Sequence, residues 1–317
     1  MKRETRSFRL LPVLLLCLLV CARVCSAESG DVLIYMIGSD LETEQASATQ
    51  DLHEMMHTMR RYPEQEIVAF LGGSETWWLP ELEDGHSYTL RISADGYEVL
   101  QDHGLFPGTT EDALSSFLRK YASDGGDLIL WGHGAPGAGG VGRDALFDLD
   151  MLTLYELQAA LEESGVHFRL IGFDACSMAT LQSAWMLSPY CDLFCASTVD
   201  EQVRGWSYNA VLPLLSGQEE LTAPLLRTGF RESDMTVLDA QELRGCQEQL
   251  CHVLNRSSCG SAIRMLSDIL IPEEDGQLMR MLSDSDLLIA HWPPGELPTE
   301  ELLPGIGSAY RAFLTRK

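Results

Sequence analysis

The sequence predicts an α/β protein built on a mainly parallel sheet with helices on both faces. Short apolar runs alternate with amphipathic stretches, and strand, helix, strand at this spacing calls for right-handed crossovers. The 317 residues, 45% hydrophobic and 22% charged, have ordinary globular composition and length enough for one large domain or two modest ones.

Residues 31–37 read as a buried strand, and residues 46–60 set Leu52, Met55, Met56 and Met59 at helical spacing. Residues 66–71 form a second buried strand. Residues 87–92 and 97–100, joined through Ala94-Asp95-Gly96, form a hairpin. Thr109-x-x-Asp112 starts a helix with Leu114, Phe117, Leu118 and Tyr121 on one face, and 127–131 is a third core strand. Thr153-x-x-Glu156 is a capping box; 168–173 is a fourth strand leading into a helix through Leu181 and Trp185, and 192–196 is a fifth. From about residue 216 the pattern weakens, with helical signals over 240–255 and 261–270 and a Pro-rich break over 292–298. The expected organisation is therefore residues 28–215 as the main domain and 216–317 as a helical or mixed extension packed on the same core.

Residues 1–27 stand apart. Lys2, Arg3, Arg6 and Arg9 precede an apolar run over 10–21 that is short for a bilayer span, and Cys25 and Ala27 suit the last positions of a signal peptide cut after Ala27. Lipid attachment at Cys21 or Cys25 fits poorly, and no other segment reads as membrane-spanning. The expected location is secreted or cell-surface. With 22 Lys plus Arg against 47 Asp plus Glu, the surface repels phosphate backbones, which argues against nucleic-acid partners. Cys176, Cys191, Cys195, Cys246, Cys251 and Cys259 remain after the signal, too few for a disulfide scaffold; Cys191 and Cys195 lie too far apart along one strand to bridge each other. Oligomeric state is not legible.

Ligands of parallel sheets bind beyond the carboxyl ends of the strands. The strand at 127–131 runs into Gly132-His133-Gly134, and the strand at 168–173 into Asp174-Ala175-Cys176, read as the start of a helix. A helix N-terminus favours a thiolate, an imidazole moves a proton, and small neighbours leave amides for an oxyanion. The bland alternative is a buried cysteine and an ordinary loop histidine.

Several segments carry a resemblance: Tyr35-Met-Ile-Gly-Ser-Asp-Leu-Glu42, Asp51-Leu-x-Glu54-Met55, Leu130-Trp-Gly-His-Gly134, Gly140-Val-x-x-Asp144, Leu152-Thr-Leu-x-Glu-Leu157, Gly172-Phe-Asp-Ala-Cys-x-Met-Ala179 and Gly205-Trp-x-Tyr208. Together they resemble the clostripain-like cysteine peptidases over about residues 31–212. The resemblance implies a caspase-like three-layer sandwich, shared with legumain and the gingipains, and a His-Cys dyad. His133 would be the acid/base, Cys176 the nucleophile, and the amides of Gly134 and Cys176 the oxyanion hole. Asp174 would line the P1 pocket and favour Arg or Lys, unless it merely caps amides. Arg204 stands where the family often has an acid and would weaken that preference, with Asp200 and Glu201 compensating. Self-cleavage between the dyad residues points to Arg143, placed in a Gly-rich loop, because Arg169 enters a core strand. The chemistry requires no cofactor; calcium dependence, known in the family, is compatible with so many carboxylates, although no loop here has calcium-ligand spacing.

Two other patterns compete. His53-Glu54-x-x-His57 spells a zinc-peptidase motif, yet both histidines fall off the buried face and a third ligand is lacking. Gly137-x-Gly139-x-x-Gly142 is not followed by a helix start and reads as an active-site loop rather than a dinucleotide site. The expectation is an exported cysteine endopeptidase acting on polypeptides; the alternatives are a zinc peptidase and a catalytically silent caspase-like binding module.

Overall fold

The computed structural model describes residues 31–135, 139–201, 204–216, 220–230, 235–241 and 243. The expected signal segment, the helical signals beyond 243, and Cys246, Cys251 and Cys259 lie outside the described residues.

In chain order the elements begin with β1 (Val32–Ile37), α1 (Ser39–Gln45), α2 (Ser47–Met59), β2 (Ile67–Gly72), β3 (Ser87–Ser93), β4 (Gly96–Gly104), α3 (Glu111–Tyr121) and β5 (Asp127–Trp131). There follow β6 (Gly134–Ala135), β7 (Gly140–Asp144), β8 (Asp150–Leu152), α4 (Leu154–Ser164), β9 (Phe168–Asp174), α5 (Leu181–Leu187), β10 (Cys191–Ser197), α6 (Tyr208–Leu215), α7 (Ala223–Arg227) and β11 (Met235–Asp239). Eight strands form one sheet in the order β11-β10-β9-β5-β1-β2-β3-β4. Its centre is parallel, from β10 through β2, and the expected β3–β4 hairpin and β11 add antiparallel edges. β6, β7 and β8 form a small separate antiparallel sheet.

Alternation along β1 builds the three layers. Leu33, Tyr35 and Ile37 join Leu114, Phe117 and Leu118 of α3 and Leu157 and Leu161 of α4 on one face. Val32, Ile34 and Met36 join Leu52, Met55 and Met59 of α2 and Val211 and Leu212 of α6 on the other. A strand buried on both faces needs a continuous apolar run, and each such side chain contributes about 1.5–3 kcal/mol through burial. Thr153 forms the expected capping box with Glu156. The cap of α3 is Thr110, whose hydroxyl accepts the Ala113 amide, one residue later than the expected Thr109.

The strands carrying the candidate dyad are clamped together at their far ends. Asp127, fully buried at the start of β5, accepts both Arg169 Nε at 2.9 Å and Nη2 at 2.5 Å from β9, and Arg169 also donates to the Leu215 carbonyl at 2.8 Å. Bidentate geometry of this kind sets register as well as energy. β11 pairs with β10, so the same sheet continues past residue 216. No helix among the described residues is long and apolar enough to cross a membrane.

Candidate active site

β5 and β9 are neighbours, parallel, with Trp131 paired to Asp174. His133 and Cys176 therefore emerge two residues beyond opposed positions, at the carboxyl edge of the sheet. β1 lies on the other side of β5, and the chain passes from β1 to β2 on one side but reaches β5 on the other. Such a reversal of strand order opens a crevice at the strand ends, the usual ligand position in this class of sheet.

Cys176 is not at a helix start, contrary to expectation. β9 ends at Asp174 and α5 begins at Leu181, capped by Thr180 and Ser183. The thiol instead sits half-buried in a tight loop, its Sγ accepting the Glu201 amide at 3.2 Å. Burial pushes the thiol upward, the Glu201 N–H opposes this, and the charges of Asp200 and Glu201 add to the rise. With no helix dipole to favour the thiolate, the proton must be removed by a base. Ser177, the next residue, has φ 55°, a left-handed conformation that costs a residue with a Cβ about 1–2 kcal/mol. Its N–H bonds to the Val199 carbonyl at 2.9 Å and its hydroxyl to Asp200 at 3.1 Å, which hold the turn.

His133 is partly exposed, and its Nε2 lies 2.7 Å from Asp40 Oδ1. Burial alone would raise the Asp40 carboxyl, but hydrogen bonds from His133 and Ser39 outweigh it and hold the group below its usual range. Among the described residues no hydrogen bond joins His133 to Cys176. Catalytic hydrogen bonds of this type commonly tighten only when substrate is bound. Gly134 opens β6 against the Cys176 backbone: a Cβ there would overlap the Cys176 carbonyl oxygen, so only glycine lets the two expected oxyanion segments meet.

Asp174 caps no helix. Its Oδ1 accepts the Trp206 amide at 2.9 Å and its Oδ2 the Tyr208 hydroxyl at 3.0 Å, in a buried position. Gly205 has φ 56°, and a Cβ there would strike the Asp174 carboxylate, which explains the Gly205-Trp-x-Tyr208 spacing. Two further carboxyls gather around Asp174. Glu201 lies against it, and Asp51 of α2 accepts Trp131 Nε1–H at 2.8 Å. Burial first, then the Asp174 charge, pushes Asp51 and Glu201 up to about 9. Burial also raises Asp174, but the Trp206, Tyr208 and Glu201 hydrogen bonds restrain it to about 7. Of the three carboxyls, Asp174 is thus the one that gives up its proton first.

A cleft of about 420 Å³ opens beside this cluster, lined by Gln45, Ser47, Gln50, Asp51, Glu54 and Arg204. Asp51 and Asp40 were not singled out by sequence reasoning, and Glu54 only as the base of the zinc motif, although each lies in a segment that carries the resemblance. For Asp40 the signal was available, because it follows a core strand as His133 and Cys176 do. Arg204 lines the same cleft. Asp200 binds Ser177, and Glu201 meets both Asp174 and, through its amide, Cys176.

Arg143 projects from β7, a paired strand rather than the expected loop, and its neighbour Asp144 is buried and accepts the Gly108 amide at 3.0 Å. His53 and His57 lie exposed on α2, while Glu54 turns to accept the Tyr208 amide at 3.1 Å. Among the described residues no group of three or more His, Cys, Asp or Glu side chains is arranged to hold a metal ion. The carboxyl of the zinc motif is thus tied to the start of α6. Cys191 and Cys195 are buried in β10, and neither forms a disulfide among the described residues.

Solved structures share this architecture. A secreted C11 cysteine protease from Bacteroides thetaiotaomicron, in complex with an irreversible peptide inhibitor, is 18% identical with a TM-score of 0.57, over 71% of this chain and 70% of that one. A second structure, the secreted C11 cysteine protease "iotapain" from the same organism, is 14% identical with a TM-score of 0.59, over 80% and 83%. An inactive zymogen C11 protease from Parabacteroides distasonis is 16% identical with a TM-score of 0.54, over 89% and 95%. No curated protein matches. The model of the clostripain family, peptidase C11, matches residues 34–242, and the chain belongs to this family of cysteine endopeptidases.

Proposed function

We propose that this chain is an exported endopeptidase in which Cys176 and His133 form the catalytic dyad and the P1 residue is Arg or Lys. The observation that carries the dyad is the β5–β9 register, which brings imidazole and thiol to adjacent strand ends. In this reading the imidazole takes the thiol proton as Sγ attacks the scissile carbonyl. The amides of Gly134 and Cys176 receive the oxyanion, and the proton passes to the leaving amine. Water then hydrolyses the acyl-enzyme in the same manner.

The P1 preference is supported by the cleft into which Asp51 and Glu54 face, with Asp174 buried behind Asp51. A P1 cation entering it would find carboxyl oxygens as partners. Arg204 reduces the net charge of the same cleft. Export rests on the N-terminal segment over 1–27, and the catalytic unit extends beyond residue 215 because β11 completes the sheet. The chemistry needs no cofactor.

Hydrolysis of fluorogenic peptides with Arg, Lys, Asp or Asn at P1, by the full chain and its Cys176→Ala variant, tests the reading. Cleavage after Arg or Lys that vanishes in the variant supports it. Activity that survives Cys176→Ala overturns it, and a protein inert to every substrate and to thiol-directed peptide inhibitors would be a binding module.

A further inference from the structure

The imidazole of His133 has two nitrogens, and one is already committed. Nε2 lies 2.7 Å from Asp40 Oδ1. Asp40 follows β1, His133 follows β5 and Cys176 follows β9, and β1, β5 and β9 are consecutive in the sheet. The carboxylate, imidazole and thiol therefore succeed one another along one edge with the imidazole in the middle.

The carboxylate is held in place by its own turn. Ser39 has φ 48°, a left-handed conformation that persists in a residue with a Cβ only where the surroundings impose it. Its N–H donates to the Gly73 carbonyl at 3.1 Å, its carbonyl accepts the Ser74 hydroxyl at 3.2 Å, and its own hydroxyl donates to Asp40 Oδ1 at 2.9 Å. Ser177, beside Cys176, is held in the same conformation at φ 55°. Two serines in a costly backbone state thus flank the two ends of the row. The titratable groups around it are Asp40 on the imidazole side and Asp200 and Glu201 on the thiol side.

We propose that Asp40 is a positioning residue for the reaction: by accepting Nε2–H it sets the tautomer and plane of His133, so that Nδ1 is the nitrogen that exchanges protons with Cys176 and the leaving amine. This rests on the dyad reading above. The Sγ–H proton moves to Nδ1 as the S–C bond forms, the imidazolium keeps its Nε2–H on Asp40, and Nδ1–H protonates the amine as the C–N bond breaks. The nitrogen opposite a fixed hydrogen bond is the one free for chemistry.

The test compares the full chain with Asp40→Asn, Asp40→Glu and Cys176→Ala on an Arg-P1 peptide. Asp40→Asn is expected to lower kcat by about 100-fold, with KM within about twofold. Asp40→Glu is expected to recover part of kcat. Wild-type kcat in Asp40→Asn, with Cys176→Ala inert, would overturn the role of Asp40 and leave the dyad standing. Activity in Cys176→Ala would instead remove the dyad. Ring-nitrogen NMR shifts of His133, assigned with a His133→Gln variant, read the tautomer without turnover: protonation at Nε2 that is lost in Asp40→Ala supports the proposal, and protonation at Nδ1 in the wild type overturns it.

Discussion

Replacing Asp174 by asparagine removes the charge from the buried cluster while keeping its shape. The amide oxygen can still accept the Trp206 N–H, and the amide nitrogen can donate to the Tyr208 oxygen once that hydroxyl turns. In the wild type the Asp174 carboxyl is raised from 3.8 to about 7. Between those values the native state holds a proton that the unfolded chain has released. Stability therefore falls as pH rises, by about 1.4 kcal/mol per unit, starting at the unfolded value and ending above the native one. For this group the whole effect is about 4 kcal/mol, with about 3 kcal/mol of it above pH 5. Asp51 and Glu201, raised to about 9, continue the decline. Asparagine has no proton to lose, so Asp174→Asn is expected to gain roughly 6–12 °C in Tm relative to wild type between about pH 5 and about pH 8. Thermal and urea unfolding across that range measure it, and kcat/KM on an Arg-P1 peptide, which should fall, reads the functional loss. A variant whose stability tracks the wild type at every pH would refute the reasoning.

Two further substitutions probe the same site. Arg204→Ala removes the cation from the acidic cleft and is expected to raise kcat/KM on Arg- and Lys-P1 peptides by about 2–5-fold at low salt, an effect that added salt should shrink; no change or a decrease would show that Arg204 does not oppose the P1 cation. Gly134→Ala puts a Cβ into the Cys176 carbonyl and is expected to cut kcat by about 100-fold through misplacement of the nucleophile and oxyanion amides, whereas wild-type turnover would place the oxyanion site elsewhere.

The central strands were legible because each is an apolar run bounded by polar or turn residues: 127–131 is β5 itself, and 31–37 and 168–173 differ from β1 and β9 by one residue at an end. The rule that reactive groups follow strand ends then found His133 and Cys176. It failed on the helix after Cys176, because residues 175–179 form a loop, and the stop-and-start signal is the later Thr180-x-x-Ser183 box. It also placed Arg143 in a loop, because glycine-rich sequence conceals a short antiparallel strand whose partners, β6 and β8, are themselves brief. The acid cluster was legible only in part. Asp174 stands two residues before the nucleophile and Glu201 close to the Gly205-Trp206 segment, but Asp51 reaches them from a helix more than a hundred residues away, through a hydrogen bond from Trp131 that no local pattern announces.

The most direct test of the account is intact-mass and peptide-mapping analysis after incubating the full chain with a thiol-reactive peptidyl ketone carrying Arg at P1. The account predicts a single adduct on Cys176 that is slowed by excess Arg-P1 substrate and absent from Cys176→Ala. An adduct on another residue, or peptide hydrolysis that continues with Cys176 fully modified, would contradict it.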